Sequence, residues 1–261
     1  MEGKCCICGE NKKLTYEHIP PRGAFNDKCS KVYNIEAITS AILEESRLPW
    51  EYEGLKYEQQ QQGTGMFTLC GSCNSYTGKY YGNEYIKFVK GILYILQDKD
   101  LEKATGVHIK MKDFYPLRFA KQVLSLFCST CGAELIEMYP SIKDLLLDKN
   151  KKGLDKDLRI SMFVLKTPRN FNSGIDYIYM DDGTVQKIAE INAFPFGFIL
   201  EINPTRELKE INITNLFNDY YYDDYGEVDI KIPAFERNNI VPTDYRSKEE
   251  FLNEYNLKIN F

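Results

Sequence analysis

Residues 5–9 read Cys-Cys-Ile-Cys-Gly, and residues 69–74 read Leu-Cys-Gly-Ser-Cys-Asn. These two stretches contain two Cys-x-x-Cys pairs, formed by Cys5 with Cys8 and by Cys70 with Cys73. Two such pairs supply the four thiolates of a closed tetrahedral site for structural Zn²⁺. The spacing therefore predicts one structural zinc ion bound by these four cysteines.

The remaining cysteines have no comparable spacing. We interpret Cys6 as a small buried residue and Cys29 as a loop thiol. Cys128-x-x-Cys131 follows an apolar segment without a clear second pair, which favours buried cysteines at a helix end. Under the alternative interpretation, all eight cysteines are buried hydrophobic residues or disulfides. Gly9, which directly follows Cys8, suits a positive φ and a backbone close to the thiolates.

The composition indicates a folded protein. Of the 261 residues, 43% are hydrophobic and 13% aromatic, which is enough to build a sizeable core. The net charge of −5 excludes a chain that is basic overall, so any nucleic-acid binding must come from a local basic face. No apolar run approaches the roughly 20 residues that span a bilayer. The start of the chain has no secretory signal, and with metal-type cysteine spacing this predicts a cytoplasmic protein.

Apolar periodicity predicts helices in the first 150 residues. Residues 1–25 are expected to form a cysteine knuckle, a short β-hairpin and a Glu-His turn, and residues 47–65 a loop. The helices are predicted over residues 33–46, over Tyr85–Leu96, from Pro116 onward, and over Ser141–Leu147 with Ser141 as its cap.

The pattern changes to strands after Lys149. Strands are predicted at Ile160–Leu165, Ile175–Met180, Val185–Ile191, Phe196–Ile202 and Val228–Ile232, with a hairpin turn at Asp181-Asp182-Gly183 and a C-terminal helix capped by Ser247. The predicted fold class is thus α+β, with an N-terminal zinc module followed by helices and a mostly antiparallel β region.

The order of motifs in the first third resembles a known enzyme family. After the first cysteine pair comes Glu17-His18-Ile19-Pro20-Pro21, and the second pair is followed by Asn74 and by Gly78. This arrangement is similar to the zinc-stabilised HNH endonucleases of the ββα-metal, treble-clef group. The resemblance implies a metal-dependent nuclease, of the kind that serves in phage defence or mobile elements.

The resemblance also implies roles for three residues. His18 would be the general base that deprotonates water for phosphodiester hydrolysis. Glu17 and Asn74 would hold a single catalytic Mg²⁺ or Mn²⁺, which favour oxygen ligands. The expected substrate is nucleic acid, DNA rather than RNA.

Two features depart from the family pattern. The middle Asn usually lies about five residues before the second cysteine pair, where this chain has Gly65; Asn34 or Gln62 are candidates to replace it. In addition, the long segment from residue 19 to residue 69 separates the two halves of the motif. The helix predicted over residues 33–46 accounts for it as an insertion in the hairpin.

We therefore expect a nuclease module at residues 1–98 and an accessory α+β region at residues 99–261. The accessory region would select the substrate, form a homo-oligomer or bind a regulatory partner protein. The alternative is a non-catalytic zinc module of treble-clef type that binds nucleic acid or protein. Under that alternative Glu17 and His18 are a surface pair.

Overall fold

A three-stranded antiparallel sheet forms the N-terminal part of this mixed α+β fold, for which a computed structural model describes residues 1–92, 103–179 and 183–259. Its strands are β1 (Glu2–Lys4), β2 (Asn11–His18) and β5 (Gly65–Cys70), in the order β1-β2-β5. The β2–β5 register shifts between Thr15 and Tyr16, where Thr68 is the extra residue on β5. Such a bulge changes the direction of the side chains that follow it.

The segment between β2 and β5 is an insertion with its own small hairpin and helix. Strands β3 (Ser30–Tyr33) and β4 (Tyr57–Gln60) pair antiparallel, and helix α1 (Ile35–Glu45) lies between them in sequence. The side chain of Asn34 caps α1 by accepting a hydrogen bond of 2.7 Å from Glu36 N. The helix predicted over residues 33–46 is confirmed, whereas the predicted loop contains β4.

One uninterrupted helical segment follows β5. It consists of α2 (Gly71–Thr77), a π-helical turn (Gly78–Gly82) and α3 (Asn83–Gly91). Gly78 and Asn83 keep right-handed helical dihedral angles, so the direction of the chain is maintained through the π-turn. The predicted helix over Tyr85–Leu96 is confirmed as far as Gly91, and its remainder lies largely outside the described residues.

The second half of the chain builds a large, mostly antiparallel sheet, as predicted. The order within the described residues is β6-β13-β7-β11-β10-β8, with β12 beside β7 and β9 beside β10; only β13 and β7 pair in parallel. The strands are β6 (Gly106–Phe114), β7 (Leu158–Leu165), β8 (Phe171–Asn172), β9 (Asp176–Tyr179), β10 (Val185–Ala193), β11 (Phe196–Ile202), β12 (Ile211–Asn212) and β13 (Gly226–Phe235). Met180, Asp181 and Asp182 of the predicted strand and turn lie outside the described residues.

Further helices pack beside this sheet or follow it: α4 (Pro116–Cys131), α5 (Glu134–Met138), α6 (Ser141–Leu147), α7 (Asn215–Asn218) and α8 (Lys248–Ile259). Almost every residue of α4 is buried, which makes it the central helix. Pro140 occupies the N-cap of α6, so the predicted cap at Ser141 is wrong. The cap of α8 is confirmed, because Glu250 N donates to Ser247 Oγ at 3.1 Å.

The N-terminal part and the large sheet share one hydrophobic core. Tyr85 of α3 stacks on Phe119 of α4, with ring centroids 5.8 Å apart. Phe88 of α3 reaches Phe196 of β11 at 5.0 Å. The predicted boundary between residues 98 and 99 lies outside the described residues, but side chains from both sides of it pack together. No helix within the described ranges is long and apolar enough to cross a membrane.

Candidate functional site

The sulfur atoms of the two cysteine pairs meet at one end of the small sheet. The four Sγ atoms of Cys5, Cys8, Cys70 and Cys73 lie within 4.8 Å of one another, and all four residues are buried. Zn–S bonds of about 2.3 Å in a tetrahedron give sulfur–sulfur distances of about 3.8 Å. The observed separation of Cys8 Sγ and Cys70 Sγ is 4.0 Å. These four cysteines are therefore positioned to hold a metal ion, consistent with structural Zn²⁺.

The local backbone explains why the thiols converge. The first pair lies in the turn between β1 and β2, where Gly9 has φ +76°, as expected for the predicted knuckle. Cys70 ends β5 and precedes α2, and its N–H donates to Cys5 Sγ at 3.3 Å. A hydrogen bond from the Cys73 thiol lowers the pKa of the Cys5 thiol, which favours a thiolate there.

The other cysteines stay outside this cluster. Cys6 and the helix-end residues Cys128 and Cys131 are buried, as predicted, and Cys29 is an exposed loop thiol. Each of these is a free thiol in the structure, so the disulfide alternative has no support among the described residues. The local sequence thus predicts the burial of Cys6, Cys128 and Cys131 and the loop position of Cys29.

His18 ends β2 at the rim of a small cleft. Its Nε2 lies 3.0 Å from the main-chain carbonyl oxygen of Gln62. A carbonyl oxygen only accepts, so the proton of a neutral imidazole lies on Nε2 and Nδ1 is left as an acceptor. The ring of Tyr16 packs against the His18 ring at 87°, with centroids 5.1 Å apart. The imidazole is therefore fixed in orientation and tautomer, which is what a general base requires.

Gly65 faces His18 across the sheet, and no side chain fits there. A Cβ on Gly65 would lie 2.1 Å from the Glu17 carbonyl oxygen. The middle Asn of the family pattern is therefore sterically excluded from this position. Of the two candidates to replace it, Asn34 caps α1, whereas Gln62 contacts His18 through its main-chain carbonyl.

Asn26 is a site residue that the sequence analysis missed. Its side-chain Nδ2 donates to Pro20 O and to Thr64 O, and its Oδ1 accepts from Thr64 N, each at 2.7 Å. These bonds join the turn after His18 to the loop that carries Gln62. Asn26 lies only 6% exposed, so the network is protected from water. No local sequence signal marks Asn26. The bonds described above go to main-chain groups, and one partner, Thr64, is distant in the sequence.

Glu17 is almost entirely buried, although it lies on β2 and lines the cleft. It is 7% exposed, and no described residue makes a hydrogen bond or ion pair with its carboxylate. Burial alone raises its pKa to about 7. A buried carboxylate without a partner is costly in its charged form, so a cation at this position would stabilise it.

Asn74 lies in α2, directly after the second cysteine pair. Its Nδ2 donates to Thr15 Oγ1 and to the Tyr16 carbonyl oxygen, both at 3.1 Å. These two bonds use both donors of the amide and fix the side chain against β2. The Oδ1 atom remains without a hydrogen bond to another described residue and is available as an oxygen ligand.

Glu17, His18 and Asn74 line the same cleft, which has a volume of about 160 Å³. Its wall is completed by Tyr16, Pro21, Arg22, Gly78, Gly82, Asn83, Ile86 and Gln122. Arg22 adds a positive charge that can contact a phosphate. Glycines of the π-turn keep the floor open, and π-turns of this kind occur frequently at functional sites. The structure thus brings the three predicted residues together, and it adds Gln122 from the second half of the chain.

Neither a scan against protein-family models nor searches of curated proteins and of solved structures found a match. What the protein does is therefore inferred from its own residues and their geometry.

Proposed function

We propose that this protein is a divalent-cation-dependent nuclease of the HNH type that hydrolyses phosphodiester bonds in nucleic acid, with DNA as the preferred substrate. The observation that carries the proposal is the bond between His18 Nε2 and the Gln62 carbonyl, which leaves Nδ1 as an acceptor on a residue that lines the same cleft as Glu17 and Asn74. The order of β2, β5 and α2 around the cysteine cluster suits a ββα-metal module of treble-clef type.

Each residue of the cleft would have its own role in phosphodiester hydrolysis. His18 Nδ1 accepts a proton from a water molecule, whose oxygen attacks the phosphorus while the bond to the leaving oxygen breaks. Arg22 holds a phosphate oxygen. Glu17 and Asn74 would hold Mg²⁺ or Mn²⁺, which stabilises the charge that develops on the phosphate and on the leaving oxygen. The Glu17 carboxylate and Asn74 Oδ1 fit such an ion, because neither has a hydrogen bond to another described residue.

The four cysteines have a separate role in this proposal. A structural Zn²⁺ would fix the turn after β1 to the start of α2, and α2 carries Asn74. Because none of the three cleft residues belongs to the thiol cluster, zinc binding and cleavage can be separated by mutation.

One observation favours a second candidate function, a zinc module that binds nucleic acid or protein without cleaving it. The pKa of Glu17 is raised to about 7, so a large fraction of its carboxyl is protonated at neutral pH when no cation is present. A protonated carboxyl is a poor ligand for Mg²⁺. Under this alternative the cleft residues have only a structural role.

Cleavage of plasmid DNA and of RNA, with Mg²⁺, Mn²⁺ or EDTA, tests the proposal. His18→Ala should lower the rate by about 10²–10⁴-fold, the usual contribution of a general base, while zinc content and fold are kept. His108→Ala is the matched control, because His108 is the other histidine, is exposed, and pairs with Asp229 on the large sheet. Wild-type cleavage by His18→Ala would refute the mechanism. A wild-type protein that binds DNA but never cuts it would favour the second candidate.

A further inference from the structure

Gly78 is a cleft residue whose type the fold itself does not explain. Its φ of −58° and ψ of −42° are right-handed helical angles that any residue adopts. A Cβ added to Gly78 would have no atom of the described residues within 4 Å, apart from the backbone of its own helix. At Gly65, by contrast, the added atom would lie 2.1 Å from the Glu17 carbonyl oxygen. Neither backbone conformation nor packing therefore requires a glycine at position 78.

A glycine at this place has a cost for the fold. Within a helical segment glycine is less stable than alanine, because it loses more backbone freedom on folding. Gly78 lies inside the continuous helical segment that runs from α2 through the π-turn into α3. The reason for the glycine must therefore lie outside the packing of the chain, and close approach of a ligand to the backbone is such a reason.

The position of Gly78 relates it to the proposed site. Its N–H donates to the Asn74 carbonyl oxygen, so Gly78 lies one helical turn after Asn74 on the same face of the helix. It is exposed, and it lines the cleft together with Glu17, His18 and Asn74. The main chain at Gly78 is thus an open part of the cleft wall, directly beside one of the proposed cation ligands.

A second observation independently indicates that this cleft binds a ligand. Glu17 is 7% exposed and lines the cleft, and its carboxylate has no hydrogen bond or ion pair with another described residue. Buried polar groups are normally paired, so a bound group is expected here. The scissile phosphate would lie beside His18 and Asn74. The atoms that reach Gly78, about 5.4 Å further along the helix, would then belong to the adjoining sugar or the next phosphate.

We propose that the sugar–phosphate backbone of the nucleic-acid substrate crosses the helix at Gly78, in van der Waals contact with the main chain. The inference rests on the proposed function and extends it, because it identifies the part of the substrate that this wall holds. Any side chain at position 78 would occupy that space and move the strand away from His18. Since sugars and phosphates are alike at every nucleotide, the contact positions the strand without reading its sequence.

Variants of Gly78 in the zinc-loaded full-length protein test the assignment. Gly78→Ala should raise the melting temperature by about 2–4 °C, the shift expected for a better helix former in a chain of this size. The same variant should lower the rate of DNA cleavage by about 10–100-fold, because small displacements of a bound substrate are costly. It should also weaken the binding of fluorescein-labelled duplex DNA, measured by anisotropy without Mg²⁺ and Mn²⁺. Gly78→Leu should reduce cleavage and binding further.

Ser75 provides the matched control. It lies on α2, is exposed and does not line the cleft. Ser75→Ala and Ser75→Leu also introduce better helix formers, so they should raise the melting temperature and leave DNA binding and cleavage unchanged. For the Gly78 variants, two duplexes of unrelated sequence should lose affinity by the same factor, whereas a loss confined to one sequence would reject a contact with the sugar–phosphate backbone.

Wild-type DNA affinity and cleavage in either Gly78→Ala or Gly78→Leu would overturn the inference. A Gly78→Ala protein that is less stable than wild type would also overturn it, because the glycine would then serve the fold. Cleavage that depends on His18, together with either result, would leave the proposed function standing. Conversely, DNA binding that depends on Gly78 in a protein that never cleaves nucleic acid would reject the nuclease and keep the strand contact.

Discussion

Replacing Glu17 by Gln removes a buried charge, and its effect on stability should depend on pH. Burial raises the pKa of Glu17 from 4.5 to about 7 in the folded chain. Between these values the folded state binds more protons than the unfolded state, so the stability of the wild type falls as the pH rises. At 1.36 kcal/mol per pKa unit, the charged carboxylate costs roughly 3 kcal/mol above pH 7 when no cation is bound.

Gln has no charge to bury, so Glu17→Gln should be more stable than wild type in the absence of Mg²⁺ and Mn²⁺. The linkage relation gives an advantage of about 1.4 kcal/mol at about pH 5.5 and of about 3 kcal/mol at about pH 8. Urea unfolding of the zinc-loaded proteins, followed by circular dichroism at both pH values, measures this difference.

Addition of Mn²⁺ provides the second half of the experiment. At about pH 8, Mn²⁺ at 100 times its dissociation constant should stabilise the wild type by about 2.7 kcal/mol through mass action. The same addition should leave Glu17→Gln nearly unchanged, because the variant lacks the charged ligand. If the two proteins differ equally at both pH values, or if Mn²⁺ stabilises both alike, then the role given to Glu17 is wrong.

Three further changes test other parts of the site. Cys73→Ser should release zinc, as measured by elemental analysis. It should also lower the melting temperature, because metal binding in such sites contributes to the free energy of folding. An unchanged melting temperature would show that the site is not structural. Gly65→Asn, which introduces the residue usual at this place in HNH nucleases, should destabilise the protein by about 1–3 kcal/mol in urea unfolding, because its Cβ would clash with the Glu17 carbonyl. A neutral effect would contradict the packing described here. Asn26→Ala should lower the melting temperature and slow the cleavage proposed for His18 while zinc remains bound, and wild-type cleavage by this variant would separate the Asn26 network from the orientation of His18.

The sequence predicts best where the rule that applies is local. Cys-x-x-Cys spacing determines where the two thiols of each pair point, and the first helical turn after Cys70 places Asn74 at the cleft, as the motif predicts. The same holds for α1 and β11, whose apolar patterns extend over a whole element. Such features depend on residues that are close together in the chain.

The parts that escaped prediction depend on contacts between distant segments. Gln122 reaches the cleft only because α4 packs against the π-turn, and nothing in the sequence around it marks that contact. The burial of Glu17 likewise results from neighbours on other elements. The Glu-His pair in the sequence is equally consistent with an exposed turn. Strand β6 was missed because its alternation is partly polar and its pairing with β13 spans more than a hundred residues.

The π-turn between α2 and α3 has a consequence for how the length of this chain can change in evolution. A π-turn contains one residue more than the α-helical turn it replaces, and each residue of an α-helix corresponds to a rotation of about 100°. Deletion of Lys79 alone would therefore rotate α3 relative to α2. If Asn74 then kept its hydrogen bonds to β2, Tyr85 and Phe88 would lose the contacts with their aromatic partners. A single-residue insertion or deletion in this turn should thus survive only with compensating changes in α4 or β11, whereas the exposed residues Glu53 and Gly54, between α1 and β4, lie outside this helix and are free of that constraint.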